Sequence, residues 1–153
     1  FFIPQICHQD AEWSPKVFSY AKSVCYLPLI VYVYRIREGS ITTQKTARRN
    51  LDFLDAIASL YEFSSRTGLS TQYVKVLREK ISSRYFSLIY GIKTNGKYDH
   101  NLIAALEEHK YMMDNSDVFH RKFLYRFFIA LFGVKPFYVV TCGWKEFFKN
   151  NER

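Results

Sequence analysis

Residues 44–66 read QKTARRNLDFLDAIASLYEFSSR, and they contain the strongest helix pattern in the chain. Apolar side chains recur there at steps of three and four, which is the spacing of one face of an α-helix. These positions are Leu51, Leu54, Ile57, Ala58 and Tyr61. Gly68 follows shortly afterwards and is typical of a helix C-terminus. The stretch therefore predicts a helix over 44–66 and favours a mainly helical fold.

Weaker patterns predict further helices on both sides of this stretch. Ser14 and Pro15 are typical of a helix start and predict a short helix over 15–23. Later helices are predicted over 72–92, 101–113, 116–131 and 137–150. Candidate caps are Ser70 or Thr71, Asp99, and Ser116 with Asp117, and candidate ends are Asn95-Gly96, Gly133 and Pro136.

Residues 24–37 are rich in Val, Ile and Tyr and predict short strand segments on either side of Pro28. Two strands cannot cover their own faces, so we expect them to belong to a larger sheet. The predicted fold class is α+β and predominantly α-helical. It combines a short β-hairpin or strand portion at the N-terminus with about four to five helices.

Composition and charge exclude several classes of protein. With 153 residues and 48% hydrophobic side chains, the chain suits one folded unit and is not typical of a disordered protein. Three cysteines at wide spacings, with no C-x-x-C pair, suggest reduced thiols in the cytoplasm. The first residues, Phe1-Phe2-Ile3-Pro4, provide neither an initiating Met nor a signal peptide, so we expect a fragment of a longer protein.

Two segments carry the strongest functional signal. The first is HQDAEWSPK at 8–16, and the second is YVYRIREGSIT at 32–42. In this order and spacing they resemble the C-terminal half of the catalytic domain of glycosyltransferase family 2. There a Glu-Asp motif opens a helix, and a later strand reads Tyr-Tyr-Arg-x-Arg-x-Gly-Ser-Ile. The resemblance covers 1–43 well and extends to 44–153 only as a helical C-terminal region packed on that part.

The resemblance implies a GT-A type fold that transfers a sugar, with inversion, from a nucleotide-diphosphate sugar to a glycan or lipid-linked acceptor. It also implies a divalent metal, Mn or Mg, in the complete enzyme. Asp10 matches the Asp of the Glu-Asp motif, which acts as the general base. Gln9 stands where the family usually has Glu, which puts any role of that Glu in doubt. The alternative is that Asp10 only caps the helix.

Further substrate-binding candidates each have a structural alternative. Arg35, Arg37 and Ser40 match the strand and loop that approach the donor or acceptor side of the cleft in the family. The two arginines could instead be solvated charges on an edge strand. His8 could orient the acceptor or be an ordinary hydrogen-bonded residue, and Trp13 could stack on a sugar or pack beside the helix.

No metal site made of protein ligands is predicted. The remaining histidines, His100, His109 and His120, have no zinc-like spacing and no cysteine companions.

The C-terminal region combines aromatic and basic side chains. Residues 119–148 contain eleven aromatic residues, and the only acidic residue among them is Glu146. The basic residues of this region, with Lys149 just beyond it, are Arg121, Lys122, Arg126, Lys135, Lys145 and Lys149. Such a surface suits peripheral contact with an anionic membrane. The alternative is that Phe123, Phe127 and Leu131, which share a helical spacing, belong to the core.

Three function classes remain. The first is a C-terminal fragment of a family 2-like glycosyltransferase, on the cytoplasmic face of the membrane. We expect this fragment to be inactive by itself, because the sequence has no Asp-x-Asp motif and no nucleotide-binding half. The second is a non-catalytic helical module that binds a membrane surface or a protein. Nucleic-acid binding ranks last, because a net charge of 22 − 14 = +8 without a motif indicates only non-specific contact. Exposed apolar strand surface would also favour a homo-oligomer.

Overall fold

The computed structural model describes residues 7–33, 47–94, 97–113 and 120–151. Within these ranges the chain forms six α-helices, one short 3₁₀ helix and one pair of two-residue strands. The helices are α1 (Gln9–Tyr20), α2 (Ala47–Phe63), α3 (Thr71–Ile89), α4 (His100–Glu108), α5 (His120–Phe132) and α6 (Val134–Asn151). The predicted class, predominantly α-helical with little β structure, is confirmed.

The β structure lies at a different place from the predicted one. Strands β1 (Lys93–Thr94) and β2 (Lys97–Tyr98) pair antiparallel on either side of the predicted Asn-Gly turn, which lies outside the described residues. Residues 24–33 form no strand, and their side chains are exposed, Ile30 at 92%. The strand prediction is therefore wrong for 24–33, while 34–37 lie outside the described residues. A strand needs a partner, and no described strand lies beside this segment.

Helix α1 begins at Gln9, earlier than the predicted start at Pro15, and ends at Tyr20. His8 precedes it in the left-handed region, with φ 70°. Pro15 therefore lies inside the helix, where it lacks an N–H to donate. Its carbonyl accepts a hydrogen bond from the Tyr73 hydroxyl, and α1 packs along α2. Tertiary contacts thus extend this helix beyond its local signals.

Helices α2 and α3 form the centre of the core. Leu54 and Ile57 are buried as predicted, whereas Ala58 and Tyr61 are only partly buried. The predicted cap of α3 is confirmed at Ser70, whose hydroxyl oxygen accepts the Tyr73 N–H at 3.2 Å. Other large apolar side chains that are almost fully buried include Ile81, Tyr85, Ile89, Ile92, Leu102, Leu106, Met112, Ile129 and Phe137.

The predicted helix over 101–113 is divided in two. Asp99 caps α4 as predicted, because its Oδ1 accepts the Leu102 N–H at 3.1 Å. The helix then ends at Glu108, and a 3₁₀ helix covers Lys110–Met113.

Helices α5 and α6 meet at Gly133. As predicted, Gly133 ends α5, and its φ of 87° is a conformation that favours glycine. Pro136 does not terminate a helix but lies in the first turn of α6, where a missing N–H costs little. The expected start at 116–119 lies outside the described residues. No helix within the described ranges is both long and apolar enough to span a bilayer.

Candidate functional site

The site begins at the N-terminus of α1, where Asp10 lies in the first turn. Its carboxylate is exposed and lines a cavity of about 220 Å³ formed by α1, α2 and α3. The apolar lining residues are Ala11, Pro15, Phe53, Ile57, Leu60, Leu77 and Ile81, and the polar ones are Asp10, Ser14, Lys80 and Arg84. The cavity therefore has a largely apolar interior with hydrogen-bonding and charged groups around it.

The position of Asp10 suits a proton acceptor. The N-terminus of a helix favours a negative charge, so the first turn of α1 is a favourable position for this carboxylate. Within the described residues its carboxylate forms no ion pair. A carboxylate that is open to solvent beside a cavity can take a proton from a bound hydroxyl group that comes within ~2.6–3.2 Å.

His8 is held by its neighbours. Arg49 Nε donates a hydrogen bond to His8 Nε2 at 3.0 Å, and the Phe53 ring lies 4.8 Å from the imidazole, centroid to centroid. Burial and the Arg49 guanidinium lower the pKa of His8, and they outweigh the Asp10 and Asp52 carboxylates, which raise it. The neutral ring then carries its proton on Nδ1. These contacts give His8 a packing role beside Asp10, while the predicted role in acceptor binding stays a prediction.

Acidification is expected to destabilise the protein through His8. In the unfolded chain the imidazole takes up its proton near its usual value of 6.5, whereas in the folded protein the pKa is lower. Between these two values the unfolded state binds more protons, so the free energy of unfolding falls as the pH drops through 6.5. Above pH 6.5 the imidazole is neutral in both the folded and the unfolded state, so this loss of stability is absent.

Urea unfolding at about pH 7.5 and about pH 5.5 measures this effect. His8→Asn should lose less stability on acidification than the wild type, since asparagine does not titrate and tolerates the left-handed backbone. His100→Asn is the control, because His100 is exposed on α4. Equal losses in the wild type and His8→Asn would contradict the assignment.

Of the other predicted site residues, the structure describes only His8 and Trp13, and neither lines the cavity. Trp13 is 39% exposed and does not line it. Arg35, Arg37 and Ser40 lie outside the described residues. Among the predicted site residues that the structure describes, only Asp10 lines the cavity.

A buried polar cluster between α1 and α2 was not predicted. Glu12 is fully buried, and its Oε1 accepts hydrogen bonds from Lys16 Nζ and, at 3.0 Å, from Ser59 Oγ. Lys16 Nζ also donates to Ser59 Oγ at 2.9 Å. Glu12 Oε2 is buried without a hydrogen-bond partner among the described residues. The four-residue spacing of Glu12 and Lys16 could have indicated a pair, but nothing local points to Ser59.

Potential metal ligands do not gather within 7–33, 47–94, 97–113 and 120–151. These ranges contain no group of three or more His, Cys, Asp or Glu side chains that could hold a metal ion. The divalent metal implied by the resemblance therefore has no set of ligands among the described side chains.

Comparison with known proteins gave no match: no family model, no curated protein and no solved structure is significantly similar to this chain. Any functional assignment therefore depends on the residues and on the geometry around Asp10.

Proposed function

We propose that this chain is the C-terminal, acceptor-side part of a family 2-like glycosyltransferase and that Asp10 is its general base. The observation that supports this proposal is the exposed Asp10 carboxylate in the first turn of α1, beside a cavity. The segment 32–42, which contains Arg35, Arg37 and Ser40, supports the proposal through its resemblance to the family. The protein works on the cytoplasmic side of the membrane.

In the proposed reaction an acceptor hydroxyl attacks the anomeric carbon of a nucleotide-diphosphate sugar. The new bond joins the acceptor oxygen to that carbon, and the nucleoside diphosphate leaves with the electron pair of the broken bond. Asp10 takes the proton of the hydroxyl, because an uncharged sugar hydroxyl is a weak nucleophile. Donor binding is assigned to a nucleotide-binding half that is not among these 153 residues.

The test uses the protein with its native upstream sequence. It is incubated with a panel of nucleotide-diphosphate sugars and Mn²⁺ or Mg²⁺, and donor binding and sugar release or transfer are measured. Consumption of one donor by this protein, and not by residues 1–153 alone, is the expected result. If the protein with its native upstream sequence binds no nucleotide sugar, the proposal is contradicted and a non-catalytic interaction module is favoured.

A second function, contact with an anionic membrane surface, is favoured by α5. Phe127 and Leu131 are 59% and 60% exposed and share one helical face, and Phe132 is 59% exposed. The interpretation of Phe127 and Leu131 as core residues is therefore wrong. Lys135 at the start of α6 is exposed, and the basic residues of this region outnumber its single acidic residue. Exposed apolar side chains next to cations suit the headgroup region of a bilayer.

Co-sedimentation with vesicles checks the membrane contact. The double variant Phe127→Ser/Leu131→Ser is expected to bind vesicles with about 30% phosphatidylserine about tenfold more weakly than the wild type, since it loses two insertable apolar side chains. Phe18→Ser is the matched control, because Phe18 is also 59% exposed but lies on α1. Binding that does not respond to anionic lipid, or is lowered equally in the control, would contradict the membrane function.

A further inference from the structure

Two cations line the cavity on the side formed by α3. Lys80 and Arg84 are four residues apart, so they lie on the same face of this helix, and both are exposed. Two like charges at this spacing repel each other. Within the described residues neither side chain forms an ion pair. An anion bound between them would remove the repulsion.

The rest of the lining has a different character. Asp10 and Ser14 stand on α1 and offer a carboxylate and a hydroxyl group. Phe53 and Ile57 are part of the apolar lining contributed by α2. A carbohydrate ring fits this combination, because its hydroxyl groups need hydrogen-bond partners and its C–H face packs on apolar side chains.

The size of the cavity restricts its occupant. Its volume of about 220 Å³ is smaller than the ~300–1,000 Å³ of sites that hold drug-sized ligands. It therefore suits one ring with its substituents rather than an oligosaccharide.

We propose that this cavity binds an acceptor sugar that carries a negatively charged group, a carboxylate or a phosphate. The anion lies at Lys80 and Arg84, and a hydroxyl group of the same sugar lies at Asp10. A guanidinium can bind such a group through two parallel hydrogen bonds, and the lysine adds a point charge. The proposal rests on the proposed function, since it names the acceptor class for the base Asp10.

Binding of three probes tests the proposal: glucuronate, glucose 6-phosphate and glucose, each titrated calorimetrically into the protein with its native upstream sequence. At least one charged sugar should bind about tenfold more tightly than glucose, and the charged sugar that binds identifies the anion. The difference in affinity between the charged sugar and glucose should decrease at high salt. Equal affinity for all three sugars would overturn the proposal.

Variants show whether Lys80 and Arg84 cause the preference for a charged sugar over glucose. Lys80→Gln/Arg84→Gln should lose the preference for the charged sugar, by about tenfold. Lys75→Gln, an exposed lysine of α3 that does not line the cavity, should keep it. Uridine diphosphate is the competing probe: if the double variant weakens its binding instead, the cations hold the donor and the proposal is wrong.

The experiments distinguish failure of the proposed sugar site from failure of the proposed transferase function. Binding of a charged sugar that depends on Lys80 and Arg84, in a protein without transferase activity, would support the site and contradict the role of Asp10. Transferase activity that needs Asp10, with an unchanged acceptor KM in Lys80→Gln/Arg84→Gln, would overturn the site and leave the function in place.

Discussion

Asp10→Asn is expected to lower kcat for sugar transfer by about 10²–10⁴-fold in the protein with its native upstream sequence. Asparagine keeps the size and shape of the side chain but cannot take a proton. Because the carboxylate lines the cavity that we propose for the acceptor, donor binding should stay close to that of the wild type. Steady-state transfer rates and donor titration on the same preparation measure both quantities.

Asp55→Asn is the matched control for this experiment. Asp55 is an exposed aspartate of α2 that does not line the cavity, so its variant should transfer sugar at the wild-type rate. A rate in Asp10→Asn within about threefold of the wild type would show that Asp10 is not the base. It would leave Asp10 with no more than a favourable charge in the first turn of α1. The alternative that Asp10 caps this helix is wrong, because His8 occupies the cap position.

Glu12→Ala is expected to lower the free energy of unfolding by about 3 kcal/mol. The change removes the carboxylate that accepts hydrogen bonds from Lys16 and Ser59 and leaves the ammonium group without its counter-charge. Removal of one partner of a fully buried ion pair costs about 3–5 kcal/mol. We expect the low end of this range, because the Lys16 side chain is 21% exposed and can recover some solvation. Chemical denaturation measures the difference.

Two further variants define the cause of that loss. Glu62→Ala removes an exposed glutamate of α2 and should change stability by no more than about 0.5 kcal/mol. Glu12→Leu/Lys16→Met replaces both charges with apolar side chains of similar size and should regain most of the lost stability. A double variant as unstable as Glu12→Ala would mean that packing around Ser59, rather than the unpaired charge, is responsible.

The helical part of the fold could be predicted from the sequence because its signals are local. The periodicity over 44–66 and the caps at Ser70 and Asp99 act within a few residues, and the structure contains all three. The strand prediction for 24–33 was wrong because its signal is not sufficient locally. A strand also needs a partner strand, which can come from any part of the chain. The early start of α1 likewise depends on its packing against α2.

Only part of the candidate site could be predicted. Asp10 was indicated by the resemblance, and the structure places it at a cavity. Lys80 and Arg84 lie seventy or more residues away in sequence, and no motif connects them with Asp10. The Ser59 hydroxyl reaches Glu12 across 47 residues. Contacts of this kind come from helix packing, which periodicity alone does not specify.

Helix α1 is joined to the rest of the protein by side-chain contacts at several points, yet residues 21–33, which follow it, are exposed. Besides the Glu12 cluster and the His8 contact with Arg49, Asp52 Oδ2 accepts the Cys7 N–H at 2.9 Å. Proteolytic cleavage after Lys22 would therefore turn the docking of α1 into binding between two fragments. A synthetic peptide covering 7–20, added to a truncated protein, would then rebuild the cavity and return Asp10 to it, with an occupancy set by the peptide concentration.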